Sequence, residues 1–329
     1  MRAFVTGAGS GFGRAIARRM LREGWTVVAT DVSVSDLAGL PEGLPGADAR
    51  LSLLALDLRD PGTIEAAARV AIDGGPIDVL VNNAGYAVFG AQEDADLAAI
   101  ASLFDANVMG TARVTRALLP ALRAARGSVV QISSIAGRMV FPESGFYAAT
   151  KFALEAMSEA LVVENTAYGL RVIVIEPGAF DTGFAARATR ASRPRPTDGA
   201  NADRYPLWDA RKVAVLSPPQ DPDVVASAVW TALSGGPRFQ RVRVGEDSER
   251  ILNLRDTLGP DGWVRFMVAR VGGPADESPV PTPDVVLAAT DNALRSERPF
   301  ALARAARDAG MLDDWSETEA GRQALARLD

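Results

Sequence analysis

Tyr147 and Lys151 are four residues apart, a spacing that puts both side chains on one face of a helix. A free phenol has a pKa near 10, too high for proton transfer at neutral pH. A neighbouring ammonium favours the phenolate and brings that value down, which makes the tyrosine an acid/base. Lys151 stands out for a second reason: of the 35 basic residues in the chain, only Lys151 and Lys212 are lysines. Spacing alone recurs in many ordinary helices, so the pair gains meaning from its surroundings. Ser133 and Ser134 lie shortly upstream, where a hydroxyl can bond a substrate oxygen or cap a turn. The chain has no Cys and no His. Disulfides, thiolate or imidazole metal sites and histidine-based hydrolytic triads are thereby excluded, and no metal centre is expected. Acid–base work near neutral pH falls to carboxylates, Lys or Tyr.

A second group of residues suits phosphate and ribose. Thr6-Gly7-Ala8-Gly9-Ser10-Gly11-Phe12-Gly13 joins a short apolar run to an amphipathic one. Glycines between a strand and a helix let backbone N–H groups and the helix N-terminus approach a pyrophosphate, although tight turns use glycine too. Asp31 follows the next apolar run. An acid there accepts hydrogen bonds from ribose hydroxyls and repels a 2′-phosphate, or else merely solvates a turn. Neither Ser10, Thr30 nor Val32 supplies a cation for such a phosphate, so the sequence favours NAD over NADP. Further along stand Asn82-Asn83-Ala84-Gly85, then Asn107 inside a helical stretch that Asn does not favour. The last is Pro177-Gly178-Ala179-Phe180-Asp181-Thr182.

These groups need a scaffold that brings them together. Strand-like runs fall at residues 3–5, 26–30, 51–56, 79–81, 128–132, 171–175 and 240–244. Helical patterns cover 12–23, 61–73, 94–123, 146–168 and 223–233, with two more helices over 247–270. Strands alternating with helices indicate βαβ units, and the short continuous apolar runs fit strands covered on both faces. The expected fold class is therefore α/β, a doubly wound parallel sheet with helices on both faces and a helical C-terminal extension. Ligands of such sheets bind beyond the carboxyl ends of the strands, which is where the motifs fall.

The 329 residues exceed one ordinary domain. Residues 1–245 are expected to form the nucleotide-binding and catalytic domain, including an Arg- and Pro-rich lid or disordered loop over about 183–220. Residues 246–329 form the extension, with a linker near 272–283 and a helical tail beyond it. The formal net charge is −6, with 48% of residues hydrophobic and 23% charged. This balance disfavours nucleic acid and anionic membrane surfaces as partners. No apolar run is long enough for a transmembrane helix, and the N-terminal residues do not read as a signal peptide. A cytoplasmic protein is expected.

Taken jointly, the glycine loop, Asp31, Asn-Asn-Ala-Gly, Asn107, Ser134, Tyr-x-x-x-Lys and Pro-Gly resemble the short-chain dehydrogenase/reductase family over about residues 1–245. The stretch 246–270 more weakly resembles the branch with 17β-hydroxysteroid and retinol dehydrogenases. The resemblance implies a Rossmann-like fold and hydride transfer between a nicotinamide and a secondary alcohol or ketone. It implies that Tyr147 is the general acid/base, that Lys151 holds the nicotinamide ribose and keeps Tyr147 acidic, and that Ser134 orients the substrate oxygen. Asn107 would hold a water in a proton relay ending at Lys151. Cofactor contacts would come from Thr6, Gly7, Gly9, Ser10, Gly11, Phe12, Gly13 and Asp31. Asp57 and Leu58 would flank the adenine, and Asn83, Ala84 and Gly85 would line the adenosine side. Pro177, Gly178, Phe180 and Thr182 would hold the carboxamide. The alternatives are an NADPH-dependent ketoreductase, which Asp31 disfavours, and a non-catalytic NAD-sensing or scaffold protein, which retention of Ser134, Tyr147 and Lys151 disfavours.

The candidate pocket aromatics and methionine are Phe89, Met139, Phe141, Phe146, Phe180, Phe184, Tyr205 and Trp208. If several of them line the site, the substrate is fairly apolar. Arginines 187, 190, 193, 195 and 204 suit a solvated lid surface better than an acidic substrate. By family habit the chain forms a homodimer or homotetramer through the helices near 94–123 and 146–168.

Overall fold

Alternate residues of each central strand go to opposite sides of the sheet, and both sides are apolar. Ala3 and Val5 of β1 (Arg2–Thr6) face one core, and Phe4 between them faces the other. The same split divides β4 (Val79–Asn82), where Val79 and Val81 join the first core and Leu80 the second. The computed structural model of the chain describes residues 1–213 and 218–271.

The sheet has seven strands, all parallel, in the order β3-β2-β1-β4-β5-β6-β7. The other five strands are β2 (Thr26–Asp31), β3 (Leu51–Ala55), β5 (Ser128–Ile132), β6 (Arg171–Pro177) and β7 (Phe239–Val244). The order reverses between β1 and β4, so a crevice opens there at the carboxyl ends. The first core receives α1 (Gly11–Arg22) through Ile16, Met20 and Leu21, and α8 (Asp223–Leu233) through Val225 and Val229. The second receives α2 (Pro61–Asp73) through Ile64 and Ala68, and α4 (Thr111–Ala125) through Val114, Leu118 and Leu122. Asp60 caps α2, its carboxylate accepting from Gly62 N at 2.8 Å, with Pro61 at the first helical position.

The helix expected over 94–123 is broken in two. The segment α3 (Leu97–Phe104) runs into a π-helical turn, Asp105–Gly110, before α4 begins. Asn107 explains the break. Its side chain bonds both backbone groups of Tyr86, accepting from N at 3.1 Å and donating to O at 2.8 Å. Gly110 then sits so close to Leu58 that a Cβ would lie 2.4 Å from its carbonyl oxygen. The long helix α5 (Gly145–Glu164) carries Tyr147 and Lys151.

Two short helices, α6 (Phe184–Ala191) and α7 (Tyr205–Val213), occupy part of the stretch expected to be an irregular lid. The end of α6 is tied down by Ser192 Oγ, which accepts from Phe89 N at 2.8 Å and donates to Ala188 O at 2.7 Å. By compactness the described chain forms two units. The sheet unit holds residues 1–199 and 218–245. The other holds 200–213 and 246–271. In the second unit α9 (Glu246–Arg270) bends at Gly259, φ 69°, ahead of Pro260, where two helices were expected. Its interior side buries Ile251, Leu252, Trp263 and Phe266. The linker and tail expected beyond residue 271 lie outside the described residues. Among the described residues no helix is long and apolar enough to cross a membrane.

Leu118 is fully buried between α4 and the sheet. Leu118→Ala should therefore cost about 2–5 kcal/mol, read as a lower denaturant midpoint with an unchanged slope.

Candidate functional site

At the crevice the end of β1 and the loop after β4 are stitched together. Thr6 Oγ1 accepts from the backbone N of Asn83 and of Ala84, each at 3.0 Å, and Asn83 Nδ2 returns bonds to the carbonyls of Thr6 at 2.9 Å and Gly7 at 3.0 Å. Asn82 points the other way, to Thr115 at 2.9 Å and Gln131 at 3.0 Å. Gly13 fits under this stitch because it has no side chain. A Cβ there would lie 2.1 Å from Gly7 O and 2.4 Å from Asn83 Nδ2. Gly7, at φ 65°, turns the chain in a conformation that side chains disfavour.

Asp31 ends β2 beside this loop. One carboxylate oxygen accepts from Gly9 N at 2.9 Å and the other from Val32 N at 2.8 Å. Ser10 stands at the N-cap of α1 with no side-chain cap bond, and no acidic residue lies in the first turn. The helix therefore offers its N–H groups and positive end to an anion. Phe12 meets Phe180 edge-on at 5.3 Å, and Gly11 faces Thr182, whose side chain would be 2.9 Å from a Cβ. Gly178 N donates to Val244 O at 3.0 Å, which fixes the turn after Pro177. Gly85 comes close to Asn107 Oδ1, 3.0 Å from a Cβ. Asp57 is bonded by Arg59 at 2.8 Å, which holds its carboxyl below the usual range, and Leu58 is buried against Gly110.

The residues expected to do chemistry meet at the end of β5. Lys151 Nζ donates to Ile132 O at 2.8 Å and lies 5.8 Å from the centre of the Tyr147 ring. Ser134, extended at φ −173°, bonds Tyr147 and accepts from Ala136 N at 3.1 Å. Phe89 and Phe184 flank the Tyr147 ring, with centroids at 6.1 and 5.6 Å. Tyr147 is 8% exposed and Lys151 6%. This burial corrects one expectation. The phenol is not acidified by the pair alone: burial pushes Tyr147 above its ordinary value, opposed by the bond with Ser134. Burial also draws Lys151 down to about 8, opposed by the charge of Glu155. Asn107 reaches the same cluster through Thr150 Oγ1, to which Nδ2 donates at 3.2 Å.

Among the aromatics considered for a pocket, Phe89 and Phe184 stand against Tyr147. Phe146 packs with Val88, Ile100 and Leu103, while Met139 and Phe141 are buried. Tyr205 and Trp208 belong to the second unit and pack edge-on with each other at 5.4 Å. Arg187 bonds Thr182 O at 3.1 Å, and Arg195 clamps Glu143 at 2.7 and 2.6 Å. Glu143 was not anticipated from the sequence. Its positive φ of 66° carries no signature in the residue type.

Residues 1–193 match the short chain dehydrogenase family. The chain belongs to this family of nicotinamide-dependent oxidoreductases. It is 35% identical over 182 residues to 3-ketodihydrosphingosine reductase of Bacteroides thetaiotaomicron, covering 55% of this chain and 64% of that one. It is 32% identical over 238 residues to estradiol 17-beta-dehydrogenase 1 of Rattus norvegicus, covering 70% and 69%. A short-chain dehydrogenase structure from Streptomyces avermitilis superposes with TM-score 0.67 at 36% identity, over 76% of this chain and 90% of that one. Similar structures include complexes with NAD and with an NADP derivative.

The bare backbone under Asn83, the open helix N-terminus and the Asp31 carboxylate fit a dinucleotide. Gly13→Ala should break the stitch. The expected result is a loss of about 1–3 kcal/mol in denaturant unfolding, with binding of nicotinamide dinucleotide abolished in a fluorescence titration.

Proposed function

We propose that the protein is an NAD-dependent dehydrogenase that interconverts a secondary alcohol and the matching ketone on a fairly apolar substrate. The observation that carries this reading is the meeting of Ser134, Tyr147 and Lys151 between two phenyl rings. Tyr147 Oη exchanges a proton with the substrate oxygen, and Ser134 Oγ hydrogen-bonds that oxygen and orients it. Lys151 holds the nicotinamide ribose, and its charge favours the phenolate when the proton leaves. Asn107 fixes the turn that brings Tyr86 and Thr150 to the cluster, and on this reading it seats a water that passes protons toward Lys151. When bound, the nicotinamide supplies the hydride acceptor or donor.

The glycine loop from Thr6 to Gly13 holds the pyrophosphate. Asp57, Leu58, Asn83, Ala84 and Gly85 line the adenosine side. Pro177, Gly178, Phe180 and Thr182 hold the carboxamide. Asp31 supports NAD, since its carboxylate, anchored on Gly9 N, accepts from ribose hydroxyls and repels a 2′-phosphate. Phe89 and Phe184 support an apolar substrate, because they offer hydrocarbon next to Tyr147. On the same reading the enzyme works in the cytoplasm as a homodimer or homotetramer. Exposed Met109, Phe152 and Val163, on the π turn and α5, support an interface there.

The test is turnover of NAD⁺ with a panel of secondary alcohols. Wild-type protein should reduce NAD⁺ with at least one of them. Tyr147→Phe should lose about 10²–10⁴-fold in kcat while keeping its cofactor affinity. Asp31→Ser should raise activity with NADP⁺ relative to NAD⁺. Turnover only with NADPH and ketones would overturn the cofactor assignment. Tight NAD binding with no turnover of any alcohol or ketone would overturn the enzymatic one.

A further inference from the structure

Tyr147 and Lys151 begin a longer row. Glu155 and Glu159 follow at the same four-residue interval on α5, so the face that starts at the reacting phenol continues as two carboxylates. Glu155 is 6% exposed, an unusual degree of burial for a carboxylate. Its Oε2 accepts from Arg241 Nε at 2.9 Å, and Arg241 also pairs with Glu159 and stands 3.7 Å from Glu176 Oε1. Glu176 is fully buried, with Arg138 at 3.2 Å on one oxygen and Arg243 at 3.8 Å on the other. The charged groups of this cluster are therefore Lys151, Glu155 and Glu159 on α5, Glu176 on β6, Arg241 and Arg243 on β7, and Arg138 after β5, with Arg138 and Arg243 standing against Glu176.

One half of Glu155 is left over. Among the described residues its Oε1 has no hydrogen-bond partner, and neither has Ser133 Oγ. Both atoms face the bare Cα of Gly137, at 3.1 Å and 2.6 Å from where a Cβ would stand. A buried carboxylate oxygen without a partner is costly, and a site bears that cost only where the charge is compensated nearby. The cations in reach are Arg241, which bonds the other oxygen, and Lys151, one turn back on α5, whose ammonium donates to Ile132 O, the residue before Ser133.

We propose that Glu155 is a positioning residue: its buried carboxylate holds Lys151 in the charged form, and through Lys151 it sets the pH range over which Tyr147 can exchange a proton. The inference rests on the reading of Tyr147 and Lys151 as the working pair. Burial alone draws the Lys151 ammonium toward neutrality near physiological pH, and the Glu155 charge is what opposes it. A neutral Lys151 cannot favour the phenolate, so the carboxylate one turn away matters to a reaction it does not touch. A purely structural Glu155, paired only to Arg241, would leave the titration of Lys151 where it is.

The scarcity of lysine makes the test direct. With Lys212→Arg, Lys151 is the only lysine in the chain, and ζ-¹⁵N-lysine labelling reports its titration by NMR without any substrate. Glu155→Gln in this background should lower the midpoint by about one unit or more, and Glu155→Asp should restore most of the shift. In kinetics Glu155→Gln should narrow the pH window of kcat. The upper limb moves to lower pH because Lys151 loses its proton earlier, while the lower limb, set where Lys151 is still charged, does not rise. KM for the alcohol should stay within about twofold, because Glu155 touches no substrate. An unmoved midpoint overturns the proposal. If Glu155→Gln does not fold, carboxyl-¹³C labelling of the Lys212→Arg protein replaces it. The Glu155 carboxyl signal should then step at the Lys151 midpoint, and a flat signal overturns the proposal. Turnover with an unmoved midpoint refutes this inference and leaves the dehydrogenase reading standing. A shifted midpoint without any turnover upholds the coupling of Glu155 to Lys151 but overturns the dehydrogenase reading, and with it the role of that coupling in proton exchange.

Discussion

The close contact of backbone with backbone where β1 and β4 diverge is the constraint on which the rest depends. Thr6, Gly7, Gly13 and Asn83 share a space too small for another side-chain carbon. Because that contact is tight, α1 starts directly at the crevice, Asp31 is in reach of the Gly9 amide, and the loop carrying Ala84 and Gly85 is held against Asn107. Sheet packing alone would not achieve this. The two apolar cores fix the order of the strands, but they leave their carboxyl-end loops free to drift by more than a hydrogen bond tolerates.

Against that precision the site has an internal tension. Excluding water strengthens the electrostatic interactions inside, yet it opposes charge on both Tyr147 and Lys151. The groups that counter this effect come from two elements. Ser134, at the end of β5, opposes it at Tyr147, and Glu155, on the next turn of α5, opposes it at Lys151. The last strand of the sheet, far in sequence from the reacting phenol, in turn holds Glu155 through Arg241. Glu176 itself is raised by burial and by Glu155, and is held down by Arg138 and Arg243.

Much of this could be read from the sequence because it depends on short-range pattern. The strand-helix alternation, the glycine loop, Asp31 and the Tyr147–Lys151 spacing are all local, and the structure places them at the carboxyl ends of adjacent strands. What could not be read depends on contacts between distant residues. Nothing in the Ala- and Leu-rich run around Asn107 announces the π turn, because its cause is the backbone of Tyr86. The expected acidity of Tyr147 followed from the lysine alone, without the burial that Phe89, Phe184 and α6 impose. The Arg and Pro composition of residues 186–220 pointed to an irregular lid. Ala188 and Ser192 nevertheless anchor one helix there by contacts the local sequence does not encode.

The π turn at Asp105–Gly110 has a consequence for how this chain can change in length. Such a turn accommodates an additional residue in a helical run, and each residue rotates the helix by about 100°. Deleting that one residue would let α3 and α4 merge into a regular helix with Val114, Leu118 and Leu122 still on the sheet, while Asn107 would lose the widened turn from which it reaches Tyr86. The local gain in helical regularity would come at the expense of the site, not of the core. The irregular form therefore seats a site residue in a helical run without turning the core face beyond it, and the length of this short run is as constrained as the identity of any residue in it.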